Sequence, residues 1–189
     1  MARFSFRPGL DLRGKKFRGP LRGFVGKPLH PPLTDIPIGA YVIAPLLDVI
    51  AFVWKSNEHA MTFHRAAGYV LLVGGIVSVA TAITGYADWL DTKKGTQIRR
   101  MANSHAWTMI TMTVVVIVDL ILRFAGGFDH PSVLLALLGI VIFLLAVIGG
   151  TLGGTMVYDF GFNVVNSNDN PVYHPSETDI VHPFDKPAG

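Results

Sequence analysis

Four side chains, His30, Asp35, Asp88 and His105, stand where a polar stretch meets a long apolar one, and imidazole beside carboxylate is a combination that binds metals. Read as a site, His30 and His105 ligate a metal ion or a haem iron, while Asp35 and Asp88 orient the imidazole N–H groups or join the metal's ligand set. Read as scaffold, Asp35 caps a helix, Asp88 pairs with a basic loop, and both histidines sit at a headgroup boundary. Asp88 is the informative member. A carboxylate in the last turn of a helix faces the negative end of the helix dipole and needs a cationic or hydrogen-bonding partner, which His105 or His30 would supply. The chain has no cysteine, so disulfides, thiolate zinc sites, cysteine-held iron–sulfur clusters and a cysteine nucleophile are excluded.

Long apolar elements must bring these residues together. Half of the residues are hydrophobic, 15% are charged and the mean hydropathy is +0.44, which suits a chain that crosses a membrane repeatedly better than a soluble globule. Four membrane-length helices are predicted, over about 36–54, 62–89, 104–124 and 131–157. The expected fold is all-α, an integral membrane four-helix bundle over 30–158, with a basic arm at 1–29 before it and an irregular tail at 159–189 after it. Glycines and prolines through the arm oppose any regular element there. Thr34 or Asp35 is placed to cap the first helix, with Pro37 in its first turn and a kink at Pro45; Asn103 or Ser104 is placed to cap the third. Small residues Ala67, Gly74, Ser78, Ala82 and Gly85 form a stripe on the second helix. Gly149/Gly153 and Gly150/Gly154 repeat the pattern on the fourth, and such stripes let helix backbones approach closely in lipid. The run GGTLGG is not a phosphate loop, because no Lys-Ser/Thr follows it.

Four spans place both ends of the chain on one face. That face gathers Arg3, Arg7, Arg13, Lys15, Lys16, Arg18, Arg22 and Lys27 from the arm, Lys93, Lys94, Arg99 and Arg100 from the middle loop, and Lys186 from the tail. The other face holds Lys55, Arg65 and Arg123, so the first is expected to be cytoplasmic. The arm carries no nucleic-acid motif, and its basic residues are expected to lie on anionic lipid headgroups at about 1 kcal/mol each. MARFSFRPGL has no short apolar run ending in a small-residue cleavage site, so no cleaved secretory signal is expected.

Two acids fall inside the apolar segments, where an unpaired one costs about 2.5–3.5 kcal/mol. Asp119 precedes Arg123 by four residues, in the favourable order for a helical ion pair. Asp48 has no equally obvious partner, with His64 and Arg65 the residues that could reach it. On the face opposite the termini, His59, His64, Arg65 and His130 are expected at the lipid boundary rather than as ligands. Because no single span carries histidines at both depths, the two-haem ladder of respiratory cytochrome b is absent.

HPPLTDIPIGAY at 30–41, GYADW at 85–89, SHAW at 104–107 and GGTLGGTMVYDFGFNV at 149–164 together resemble the bacterial membrane proteins grouped as domain of unknown function 2231. The resemblance covers about residues 28–165. It implies a small four-helix domain in the bacterial cytoplasmic (inner) membrane, with His30, Asp35, Asp88, His105, Gly154 and Tyr158 at the family's recurrent positions. Some members are joined to a Rieske iron–sulfur domain. This chain has no cysteine for such a cluster, and Asp159 follows Tyr158 where the Rieske-joined members carry a basic residue. Electron transfer would therefore rest on a bound haem b or metal ion at His30 and His105, or on a separate partner. The alternative is a non-catalytic accessory subunit that docks onto a larger membrane complex through the arm, the tail and the glycine stripes. A proton-coupled transporter is disfavoured by the few spans and the missing internal repeat, and no catalytic constellation points to an enzyme.

Overall fold

The computed structural model describes residues 17–24, 27–54, 57–126, 128 and 131–164. Expectations for residues 1–16, Lys55, His130 and the tail beyond 164, Lys186 included, lie outside the described residues. Four helices follow one another: α1 His30–Val53, α2 Asn57–Leu90, α3 Gln97–Ala125 and α4 Val133–Tyr158. Each exceeds the roughly 20 residues that cross a hydrocarbon core, and each is apolar enough to do so, with mean hydropathy from 2.0 to 3.0 over its most apolar stretch.

The helix starts differ from those expected. α1 begins at His30, six residues before Ile36, and Leu29 occupies its cap without a side-chain bond, so neither Thr34 nor Asp35 caps it. The pair Pro31-Pro32, which reads as a breaker, lies in the first turn, where backbone N–H groups have no intrahelical partner to lose. Pro37 is consequently interior, and the helix runs on through both Pro37 and Pro45, each buried. α3 starts at Gln97 under a Thr96 cap whose hydroxyl accepts from Arg99 N, so Asn103 and Ser104 are interior residues. Asn103 instead accepts the Trp89 indole N–H at 2.8 Å. Ser132 caps α4 by accepting from Leu135 N.

The helices form a four-sided ring in which α1 adjoins α2 and α4, and α3 adjoins α2 and α4. α1 and α3 stand diagonally opposite, their backbones nowhere adjoining among the described residues. At mid-depth the centre holds Tyr41, Ala44, Leu71, Met112, Val116 and Ile142, while Val73, Ile76, Val79, Ile121 and Leu144 point outward to where lipid lies. The α2 stripe works as a contact surface at Gly74, where an added Cβ would stand 2.6 Å from Ala40 Cβ, and at Ser78, which hydrogen-bonds the Tyr41 hydroxyl at 2.6 Å. Ala82 is exposed and takes no part. On α4 the Gly149/Gly153 pair meets α3, whereas Gly150 has nothing within 4 Å and Gly154 only its own Tyr158.

In the described part of the arm, isolated bridges pair Phe17 with Phe24 and Phe24 with Lys27. Arg18 and Arg22 both pair with Asp91, and Arg18 Nη1 donates to Asn163 Oδ1 at 2.9 Å. For these two residues the partner is therefore protein rather than lipid headgroups: the arm straps the α2–α3 turn to the segment after α4.

Candidate functional site

His30 and His105 reach the middle of the bundle from the diagonal helices, at the end where α1 and α3 begin. Their ring centroids are 6.5 Å apart, with planes at 83°. His30 Nδ1 lies 3.0 Å from the Thr81 carbonyl oxygen and His105 Nδ1 lies 2.9 Å from that of Gly149. A carbonyl only accepts, so each Nδ1 carries the hydrogen, and in each neutral ring Nε2 keeps its lone pair. Glycines make room for both rings. A Cβ on Gly85 would fall 2.7 Å from His30 Cε1, and one on Gly153 would fall 3.4 Å from His105 Cε1. Thr84 supports the arrangement by donating to the same Thr81 carbonyl at 3.0 Å.

The two aspartates behave differently. Asp88 is buried, with Oδ1 lacking a hydrogen-bond partner among the described residues. The basic residues expected to pair with it are engaged elsewhere. Arg18 and Arg22 go to Asp91, while Arg99 donates to the Trp89 and Thr92 carbonyls and lies over the Trp89 ring at 3.5 Å. Asp35 is exposed, in a shallow apolar groove with Ile36, Gly39, Ile43 and Val73. Tyr158 points outward, 87% exposed. Among the described residues, no group of three or more His, Cys, Asp or Glu is disposed to hold a metal ion. The structure thus brings His30 and His105 together without Asp35.

At the other end of the bundle lies a polar cluster that the sequence reading reached only in part. Arg123 pairs with Asp119, Nε to Oδ1 at 2.5 Å, as the i,i+4 spacing predicts, and also with Asp48 across the diagonal. His64 Nδ1 lies 3.2 Å from Asp48 Oδ1, and Arg123 Nη1 donates to the His64 carbonyl at 3.2 Å. His64 is 1% exposed, which corrects its expected place at the lipid boundary: α2 turns this face to the interior, where Asp48 needs a partner. His59 does sit at the edge, against Trp54 at 5.7 Å. A usable signal was present, since Asp48 lies five residues before the end of α1 and His64 seven after the start of α2, hence at similar depth.

No curated protein and no solved structure matches this chain. A family model described as predicted membrane protein (DUF2231) matches residues 26–166, from just before α1 to just past α4. With its whole membrane domain inside that match, the chain belongs to the DUF2231 family of predicted membrane proteins.

Proposed function

We propose that this protein is an electron-transfer component of the bacterial cytoplasmic membrane that holds a haem b between His30 and His105, with both termini on the cytoplasmic face. The observation that carries the reading is the facing pair of imidazoles, each fixed through Nδ1–H to a backbone carbonyl, the kind of bond that orients a ligating histidine. With centroids 6.5 Å apart, the two rings are near enough that both could hold one iron. The donor count favours haem over a bare ion. A protein-held zinc takes three or four side-chain ligands, whereas two imidazoles would suffice to hold a haem, and among the described residues no third His, Cys, Asp or Glu joins His30 and His105 in a metal-holding group. When bound, such a group would supply one-electron redox chemistry. The orientation is supported by the sequence bias of thirteen lysines and arginines in the arm, the middle loop and the tail against three elsewhere.

The test is the absorbance of the full chain expressed with haem supplied and purified in mild detergent. A Soret band with stoichiometric iron, lost in His30→Ala and in His105→Ala but retained in His59→Ala, is the expected result. Pure, folded protein with neither haem absorbance nor iron overturns the reading in favour of an accessory subunit, which co-purification of a stoichiometric partner would then identify.

A further inference from the structure

The cluster of Asp48, His64, Asp119 and Arg123 plays no part in the histidine site and lies at the opposite end of the bundle. Its members come from three helices: Asp48 from α1, His64 from α2, Asp119 and Arg123 from α3. α4 packs against it with Gly139, where an added Cβ would stand 3.6 Å from Asp48 Oδ2, and the sequence of α4 holds no acidic, basic or histidine residue. All four side chains are at most 4% exposed. Two carboxylates thus face one guanidinium and one imidazole in the buried interior, and with both carboxylates ionised and the imidazole neutral the cluster carries one uncompensated negative charge. Such a charge is costly in a bundle core surrounded by lipid.

Compensation can enter at the cluster's acceptor atoms that lack a partner among the described residues. Arg123 donates Nε to Asp119, Nη2 to Asp48 and Nη1 to the His64 carbonyl, so each of its three nitrogens is engaged. His64 Nδ1 is equally close, at 3.2 Å, to Asp48 Oδ1 and to Arg123 Nη1. An ionised carboxylate only accepts, and Nη1 already donates to the carbonyl, so we assign the hydrogen to Nδ1, donating to Asp48. Two buried atoms of the cluster then have no partner among the described residues, His64 Nε2 and Asp119 Oδ2, and both are proton acceptors.

We propose that this cluster is a proton-binding site inside the membrane domain, its exchangeable proton carried on His64 Nε2. Binding takes one proton from water, forms one N–H bond and brings the cluster to charge balance as Asp48 and Asp119 against Arg123 and imidazolium. Release returns the proton to water. Phe128 lies beside the cluster, its backbone N–H donating to the Arg123 carbonyl at 3.0 Å. Its backbone is in the left-handed region, φ 59, which a bulky residue adopts only under constraint, and an added Cβ on Gly68 would stand 2.2 Å from its ring Cε1 and 3.2 Å from Arg123 Cδ.

The experiment is nitrogen-15 magnetic resonance of the histidine-labelled full chain in lipid bilayers, with His64→Gln identifying the His64 signals. Nε2 of His64 should convert between its neutral and protonated forms as pH is varied, while Nδ1 keeps its hydrogen throughout. In Asp119→Asn, which removes one negative neighbour, the midpoint should move to lower pH by about one to three units. Should that variant fail to fold by circular dichroism, Asp48→Asn makes the same prediction. A His64 spectrum that does not change over the whole pH range in which the helices persist overturns the proposal. So does titration at Nδ1 instead of Nε2, or a midpoint unmoved in the folded variant.

Discussion

Replacing Arg123 by methionine, similar in length and uncharged, asks whether the buried cluster holds the bundle together. Arg123 is 1% exposed and pairs with both Asp48 at 4% and Asp119 at 0%, so solvent screening does not soften the loss. Its removal leaves two carboxylates in the core with only His64 between them and charge neutrality. Breaking a buried pair by removing one partner costs about 3–5 kcal/mol, or about two to three and a half orders of magnitude in the unfolding constant at about 1.4 kcal/mol per tenfold. The assay is reversible unfolding of the full chain in mixed micelles, followed by helical circular dichroism. The decisive readout is a sign. In the parent, Asp119→Asn gives up a charge-assisted bond worth about 1.5–3 kcal/mol and destabilises. In the Arg123→Met background the same change removes one of two unbalanced charges and stabilises, since Asp48 keeps His64 Nδ1 at 3.2 Å. A loss below about 1 kcal/mol for Arg123→Met, or the same sign for Asp119→Asn in both backgrounds, would refute the reasoning.

Gly85→Ala places a methyl group 2.7 Å from His30 Cε1 and 3.2 Å from its Nε2, against a rigid ring. At the roughly 1–3 kcal/mol typical of overpacking, haem affinity should fall by about fivefold to a hundredfold in a haem titration, and an unchanged affinity counts against the placement of His30. Topology can be read with single cysteines, because the chain has none of its own. An impermeant maleimide should label Glu58→Cys in intact cells and Lys94→Cys only after permeabilisation; the reverse pattern would invert the proposed orientation.

Much of this architecture is written in composition and length, since four apolar runs of membrane length cannot be satisfied another way. The pairing of Asp119 with Arg123 was also legible, because it lies within one helix turn. What crosses between helices was less so. All four helices are apolar on nearly every face, as both lipid and core demand, so no amphipathic stripe tells which side of α2 turns His64 inward toward Asp48. The start of α1 was hidden for a local reason: Pro31 and Pro32 read as a break when met in sequence, yet they belong to the one turn of a helix that tolerates them. Asp35 looked like a cap only because the helix was expected to begin after it. The convergence of His30 with His105 followed from topology alone, since an even number of spans brings the first residue of α1 level with the early turns of α3.

The diagonal pair α1 and α3 shows how the two polar levels depend on one another. In lipid no hydrophobic force draws helices together, so association rests on close packing and polar contacts. Neighbouring helices have the first in Gly74 against Ala40 and Gly149 against Met109. α1 and α3 share no adjoining backbone and meet through side chains that reach the centre. At one end the ion pair of Asp48 with Arg123 joins them directly; at the other, two imidazole centroids face each other across 6.5 Å. The ion pair ties α1 to α3 at a fixed depth, and helices held in that register carry His30 and His105 to the same level at the far end. Sliding α3 by one turn would move His105 about 5.4 Å along the axis, away from His30 and from the Gly149 carbonyl together. Holding the bundle to that register is therefore what the buried charges contribute to the histidine pair.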